Sequence, residues 1–437
     1  MMKKFKKGAA SFYIVAFSTL ILVIIATSFA TVILSEVTRT MNDDLSQSAY
    51  DSALAGVEDA KLAYANYRRC IAQGTVMPSG YNPDYSNPEV TCRDIVYWMD
   101  VEEPKSCDMV GWILGRIKKG ESEEVMVGEK IDSNGSTMNQ AYTCVKISTD
   151  LADYRANLTS SNRTKVVAAS FGNNGTTVRG ITAIKIRWYS VRENEDKFNY
   201  QNFTNSKVTF KPINLVEAAT PPTISVSLIQ SGNSFSLSDF TTARFGQTNR
   251  ATMYLVPTAS ASYAGTGLHS NNYIGIYNSS QKENVISRTQ VADTNTQSKN
   301  YPFVAYCDQR TTEDFACSAT IELPDPIGGN RSDDSFMFVV NLPYEQPDTD
   351  FSISFVCNAS VVGCENDGTT GYAVARVKGS QVMIDSTGRA NDLYRRVETR
   401  LETADTSFPY QYYALELLNF TSGTELFRKT MTVTSSD

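Results

Sequence analysis

The run from Ala9 to Leu34 constrains this chain most: its 26 residues contain no charge and no proline. As a helix rising about 1.5 Å per residue it extends roughly 39 Å, enough to cross a bilayer core with some tilt. Lys3, Lys4, Lys6 and Lys7 precede it, and Glu36, Asp43 and Asp44 follow it. Basic residues are held on the cytoplasmic side, so the N-terminus is expected inside and the bulk of the chain outside. Ser28-Phe29-Ala30 has the small residues of a secretory cleavage site. A secretory signal, however, has an apolar core of only about 7–15 residues, which disfavours that reading.

The helical pattern outlasts the apolar one. Leu45, Ala49, Ala53, Val57, Ala60, Tyr64 and Tyr67 recur at steps of three or four, one stripe of a helix, with charged residues filling the other positions. No proline occurs before Pro78. A single helix over residues 9–68 is therefore expected, on the order of 90 Å long, its first half suited to lipid and its second to packing on a globular domain.

Two segments at this end carry a family resemblance. Lys6-Lys7-Gly8-Ala9-Ala10 leads into the apolar run, and Ala53-Leu54-Ala55-Gly56-Val57-Glu58-Asp59-Ala60 follows it. Over roughly residues 3–62 the chain resembles a type IV pilin-like precursor, closest to the minor pilins with an alanine-rich stretch after the anchor. The resemblance implies a leader of residues 1–8, cut between Gly8 and Ala9 by a prepilin peptidase, with methylation of the new terminal amine. It also implies an assembly helix whose contacts include Tyr13, Leu20, Leu22, Ile24 and Ile25. Major pilins carry a glutamate at the fifth mature position, which pairs with a neighbouring subunit's amine; here that position is Tyr13. A buried amine left unpaired is costly, so such a subunit is best placed where no subunit sits above it, at the tip.

Composition narrows the partners. The net charge is −7 and the sequence pI near 5.1, which argues against nucleic acid, whose phosphates need a basic patch. The basic stretch Arg116–Lys119 reads as a solvated strand end. Eight cysteines fall in two groups, Cys70, Cys92, Cys107 and Cys144 at the front and Cys307, Cys317, Cys357 and Cys364 at the back. In an exported chain an even count reads as disulfides, and pairing within each group leaves three connectivities per group. With no C-x-x-C and one histidine, His269, the spacing lacks a metal-site pattern.

The fold class expected is α+β: the long helix, then two mainly antiparallel β domains, residues 69–216 and 223–437, the second patterned like a β-sandwich. Glu217–Pro222 reads as the linker, because paired prolines lock an extended backbone. Strands are expected at Trp112–Ile117, Val125–Ile131 and Ile181–Tyr189 in the first domain. In the second they are expected from Ile224, and at Met253–Val256, Phe336–Leu342 and Phe351–Val356. A hairpin of Tyr372–Val377 and Gln381–Ile384 is placed around Gly379-Ser380. Polar Thr258–Asn300 reads as surface loop.

Asp385–Leu401 resembles the closing segment of the same minor pilins. It is read as a β-turn at Ser386–Gly388 followed by a sheet-edge strand, its arginines pairing with Glu398 and Glu402. Both ends of the chain thus resemble one family.

Catalysis finds little support. His269 sits in a glycine-flanked segment with no second histidine, and no G-x-S-x-G occurs. The acidic stretches Asp100–Glu103 and Glu121–Glu124 lack calcium-loop spacing and read as solvated loops. No catalytic residue, metal or cofactor is expected. Asn157, Asn162, Asn174, Asn202, Asn278, Asn330, Asn358 and Asn419 head N-x-S/T triplets, acceptor sites only in an organism that uses them.

The function expected by resemblance is a minor pilin that primes or caps assembly at the tip and presents an outer domain for adhesion. Its partners would be other pilin subunits, the assembly machinery, the prepilin peptidase, the membrane and a host-cell or other surface ligand. The precursor would sit in the cytoplasmic membrane and the mature protein in an extracellular pilus or on the cell surface. The alternatives are a membrane-anchored extracytoplasmic binding protein outside any filament and, more weakly, a secreted hydrolase.

Overall fold

The computed structural model describes residues 7–100, 106–127, 139–170, 181–190, 221–231, 243–244, 247–248, 250–259, 261–265, 269–270, 273–288, 290, 302–307, 314–327, 335–343, 346–357, 364–366 and 373–403. The helices are α1 (Lys7–Ala72), α2 (Cys92–Asp100), α3 (Met109–Ile113) and α4 (Ala261–Ala264). The first strands are β1 (Val125–Met126), β2 (Gln140–Leu151), β3 (Asp153–Leu158), β4 (Thr164–Ser170), β5 (Ile181–Ser190), β6 (Ile224–Ser231), β7 (Ala243–Arg244), β8 (Gln247–Thr248), β9 (Arg250–Thr258) and β10 (His269–Ser270). Then come β11 (Tyr273–Gly275), β12 (Tyr277–Asn278), β13 (Glu283–Ile286), β14 (Phe303–Tyr306), β15 (Phe315–Ile327) and β16 (Ser335–Asn341). The last are β17 (Thr349–Cys357), β18 (Cys364–Asn366), β19 (Ala373–Ala375), β20 (Val377–Ala390) and β21 (Leu393–Glu402). One long helix followed by mixed, mostly antiparallel sheets makes the chain α+β.

The chain divides into two compact units, and not where the prolines suggest. Unit 1 takes Met1–Leu151 together with Gln381–Thr403, and unit 2 is built around Ala152–Ser380. The expected boundary at residues 217–222 is thus corrected: β4 and β5 precede it yet pair with β16, β15 and β17, which follow it. Residues 217–220 lie outside the described ones. Pro221 and Pro222 are buried, and the Trp188 indole N–H donates to the Pro222 carbonyl at 3.0 Å. The paired prolines therefore belong to the interior of unit 2.

Unit 1 is a helix laid on a four-stranded sheet of order β1-β2-β20-β21. The Asn391 N–H donates to the Asn139 carbonyl (3.0 Å), and the Thr143 hydroxyl donates to the Thr387 carbonyl (3.3 Å). Residue numbers fall on β20 as they rise on β2, so these neighbours run antiparallel. Unit 2 is therefore inserted in sequence where a β2–β20 hairpin would have its turn. Trp112 lies in α3, not in a strand; an apolar run this short does not by its pattern distinguish helix from strand. Of the expected strand Val125–Ile131, Val125–Met126 pairs with β2 and residues 128–131 lie outside the described ones.

The expected hairpin around Gly379-Ser380 and the expected turn at Ser386–Gly388 are both replaced by one strand, β20. It pairs with β21 from Gln381↔Glu402 to Ala390↔Leu393. The turn falls instead on Asn391-Asp392, where Asn391 takes φ +50°; asparagine tolerates that left-handed conformation better than most residues.

Unit 2 pairs two large sheets, of order β10-β11-β14-β9-β6-β16-β4 and β12-β13-β15-β5-β17-β19-β18, with β3 also on β17. Their inner faces share one apolar core, with Val226, Leu228, Phe303 and Phe338 from the first sheet and Ile184, Trp188, Ile321 and Phe355 from the second. Most pairs are antiparallel, while β11–β14, β14–β9 and β13–β15 are parallel. The expected half-buried β5 proves buried on both faces apart from Thr182 and Arg187, because β5 is central. The polar stretch 258–300, expected as surface loop, instead carries α4 and β10–β13.

Candidate functional site

The feature that dominates the described chain is α1, and its two halves live in different surroundings. From Tyr13 to Leu34 every residue is exposed, and among those singled out from the sequence Tyr13, Leu20, Leu22, Ile24 and Ile25 are each 51–69% exposed. Nothing else in the described chain covers this apolar cylinder. Its hydroxyls are answered inside the helix: Ser18 donates to the Val15 carbonyl, Thr19 to Ala16, Ser28 to Ile24 and Thr31 to Ser28, all at 2.8–2.9 Å. Polar atoms satisfied this way need no water, as a helix in hydrocarbon requires. The helix is long and apolar enough to cross a membrane. Gly8 and Ala9 lie in its first turn.

The second half is seated in unit 1. Ala49, Ala53, Val57 and Ala60 of the expected stripe are buried, while Leu45, Tyr64 and Tyr67 are half-buried at its ends. The stripe alone did not show Ser52, Gly56 and Ala63, which are buried beside it. These small residues let the sheet come close. A Cβ on Gly388 of β20 would collide with the Ala49 carbonyl and the Ala53 amide, and one on Gly56 would meet Ser386 Oγ and, at 2.8 Å, Val145 Cγ2. The buried Ser386 hydroxyl donates to the Ala53 carbonyl at 2.7 Å. Gly388 thus serves a backbone-to-backbone approach between residues more than three hundred positions apart.

Polar pins flank this contact. Tyr142 donates to Asp59 (2.8 Å), as does Arg116 (3.2 Å), and Arg395 donates to Ser46 (2.7 Å). Burial, reinforced by the hydrogen bond to the Asp59 carboxylate and its charge, pushes the Tyr142 hydroxyl above its ordinary range, so it remains a donor. Arg396 pairs with Asp385 through two 2.6 Å bonds rather than with the expected Glu398 or Glu402. Arg389 binds Glu124, so the acidic stretch at 121–124 is tied to β20 and, through Glu121, to Lys118.

Beside α1 sits a buried ion pair. Asp94 closes a reciprocal cap at the start of α2: its carboxylate accepts the Thr91 N–H and hydroxyl, both 2.8 Å, while its own N–H donates to Thr91 Oγ1 at 3.3 Å. Tyr81 donates to the same carboxylate at 2.8 Å, and Lys119 Nζ stands 3.2 Å away, both charged side chains 2% exposed. Burial alone would raise the Asp94 pKa; the bonds from Thr91, Tyr81 and Lys119 outweigh it and hold the carboxyl below its usual range. Lys119, expected to be solvated, instead lies among Tyr85 and Trp98 with its amine paired.

All eight candidate cysteines pair within their groups: Cys70–Cys92 and Cys107–Cys144 in unit 1, Cys307–Cys317 and Cys357–Cys364 in unit 2. Cys70–Cys92 ties the end of α1 to the start of α2. His269 lies on β10 at the rim of its sheet. Of the acidic stretch that starts at Asp100, residues 101–103 lie outside the described ones, as do the triplets headed by Asn174, Asn202, Asn330, Asn358 and Asn419. Compared with known protein families and with curated proteins, the chain matches none.

Proposed function

We propose that this chain is a minor, tip-associated subunit of a type IV pilus or related filament, and not an enzyme. On this reading a prepilin peptidase cuts between Gly8 and Ala9. The exposed half of α1 holds the precursor in the cytoplasmic membrane and then packs among equivalent helices of other subunits, driven by apolar burial and shape matching. Tyr13, in place of an acid, biases the subunit to prime or cap the filament. Unit 2 is carried outside and presented to a host or other surface.

The observation that supports this best is the division of α1. A helix continuous from Lys7 to Ala72 commits its second half to its own domain and leaves its first half to something outside the described chain. The disulfides are in keeping with an extracytoplasmic body. The second reading, an anchored binding protein outside any filament, draws on the same helix and on its internally satisfied hydroxyls, which suit permanent residence in lipid.

The N-terminal mass of protein purified from its own cells separates the two. A mature chain beginning at Ala9, and an uncut precursor from Gly8→Arg, are expected of the filament subunit. A chain that keeps residues 1–8, indifferent to Gly8→Arg, belongs to a plain anchor.

A further inference from the structure

The central strand of unit 2's larger sheet is broken at one place, on both sides. Toward β17 the register runs Val356↔Ala183 and then Cys357↔Ile181, so Thr182 is an extra residue, a β-bulge. Toward β15 it runs Glu322↔Ala183 and then Ile327↔Ile181. The skipped stretch of β15 holds Pro324 and Pro326, which have no N–H to give a ladder. Bulges re-aim side chains and are over-represented at sheet edges and beside active sites, and this one lies at the first residues of β5.

A cleft of about 250 Å³ opens at this spot, lined by Thr182, Thr320, Gln281, Arg288 and Glu322, with Val285 and Val356 as apolar wall. Its charged groups are held in place. The Arg288 backbone N–H donates to Glu322 Oε2 (2.9 Å), and the Arg288 Nε donates to the Leu323 carbonyl (3.0 Å). Gln281 is fixed by the Asn278 amide, which donates to its Oε1 at 2.9 Å.

We propose that this cleft binds one ring of a neutral glycan. One guanidinium and one carboxylate cancel, so the cleft selects no net charge. Together with the Gln281 amide and the Thr182 and Thr320 hydroxyls, the first of which donates to the Val356 carbonyl at 3.5 Å, they offer both donors and acceptors for sugar hydroxyls, and the valines suit the C–H face of a pyranose. The volume lies below the roughly 300 Å³ at which pockets for drug-sized ligands begin, which is room for a single ring. With no aromatic platform among the described lining residues, single-site binding is weak, and many copies on one surface would supply avidity. The inference gives the outer unit of the proposed subunit its class of ligand, and rests on that reading only for its biological sense.

The test is a glycan array probed with the full chain in detergent micelles, followed by titration of each retained glycan. A neutral glycan is expected to bind, and Thr182→Val and Gln281→Ala, both at exposed positions, are each expected to weaken it by at least ~10-fold with thermal unfolding unchanged. Retention of no neutral glycan, retention of acidic glycans alone, or equal binding by both variants overturns the proposal. The N-terminal mass of the same preparation keeps the two readings apart. A chain starting at Ala9 that binds no sugar loses this inference alone; a chain starting at Met1 that binds keeps it and loses the filament.

Discussion

The α1–β20 contact of unit 1 and the inter-sheet core of unit 2 are built by opposite means, although unit 1 also packs Trp98, Met109 and Trp112 in a core of its own. Unit 1 brings helix and sheet backbones close through Ala49, Ser52, Ala53, Gly56 and Gly388, so its central contact is made of what is missing from side chains. Unit 2 fills the space between two sheets with Trp188, Phe303, Phe338, Phe351 and Phe355, all essentially buried. The first kind of contact is vulnerable to addition and the second to removal, since overpacking and cavity formation destabilise by different routes.

The sharpest way to break the comparison is to remove one side of it. Joining Thr149 to Gln381, which face each other, through an Asn-Gly turn should leave unit 1 folded, because the strands so connected already run antiparallel. One of two unfolding transitions in a thermal scan should disappear; loss of both would show that the units depend on each other. Next in size come single changes. Phe338→Ala should destabilise unit 2 by about 3–5 kcal/mol in denaturant titration while leaving unit 1 unmoved. Lys119→Met should lower unit 1's stability by about 3–5 kcal/mol, since it strands a buried carboxylate.

That carboxylate also predicts a pH dependence. Because Asp94's folded pKa is depressed, its contribution is complete above the unfolded value near 3.9 and is lost as pH falls through the folded one. Unit 1's unfolding midpoint should therefore drop in acid below about pH 4, more steeply than in Asp94→Asn. Gly388→Ala should cost unit 1 about 3 kcal/mol or more by overpacking, because its Cβ meets helix backbone and not the end of a movable side chain. The same substitution at exposed Gly74 meets no neighbour but strains a φ of +74°, which Gly388 lacks; a cost there as large as at Gly388 would mean that close approach is not the greater penalty.

Much of α1 was legible because its signals are local: an uncharged run, a three-four stripe and no proline. The strands at 181–190, 224–231, 335–341 and 349–357 were likewise announced by alternating or continuous apolar residues. What the sequence hid depends on distant partners. Gly388 looks like a turn glycine until Ala49 is placed against it, and Lys119 looks solvated until Asp94 is. Pro221-Pro222 has the composition of a linker, and only its contact with Trp188 reveals an interior segment. The division into units was hidden most deeply, since a unit completed by residues 381–403 has no contiguous signature. The cleft at Thr182 was equally out of reach: it arises from a mismatch of register among three strands, each ordinary by itself.

The hairpin interrupted by unit 2 also sets an order of events during synthesis. The α1 seat is completed by β20 and β21, which leave the ribosome only after residues 152–380 have been made. Ala49 and Ala53, which face Gly388, therefore gain that cover only after the much longer stretch 152–380 has been synthesised. A chain stalled before residue 381 would lack the Gly388 strand and leave Ala49 and Ala53 of α1 without it. The last of the described strands thus completes the seat of the first helix.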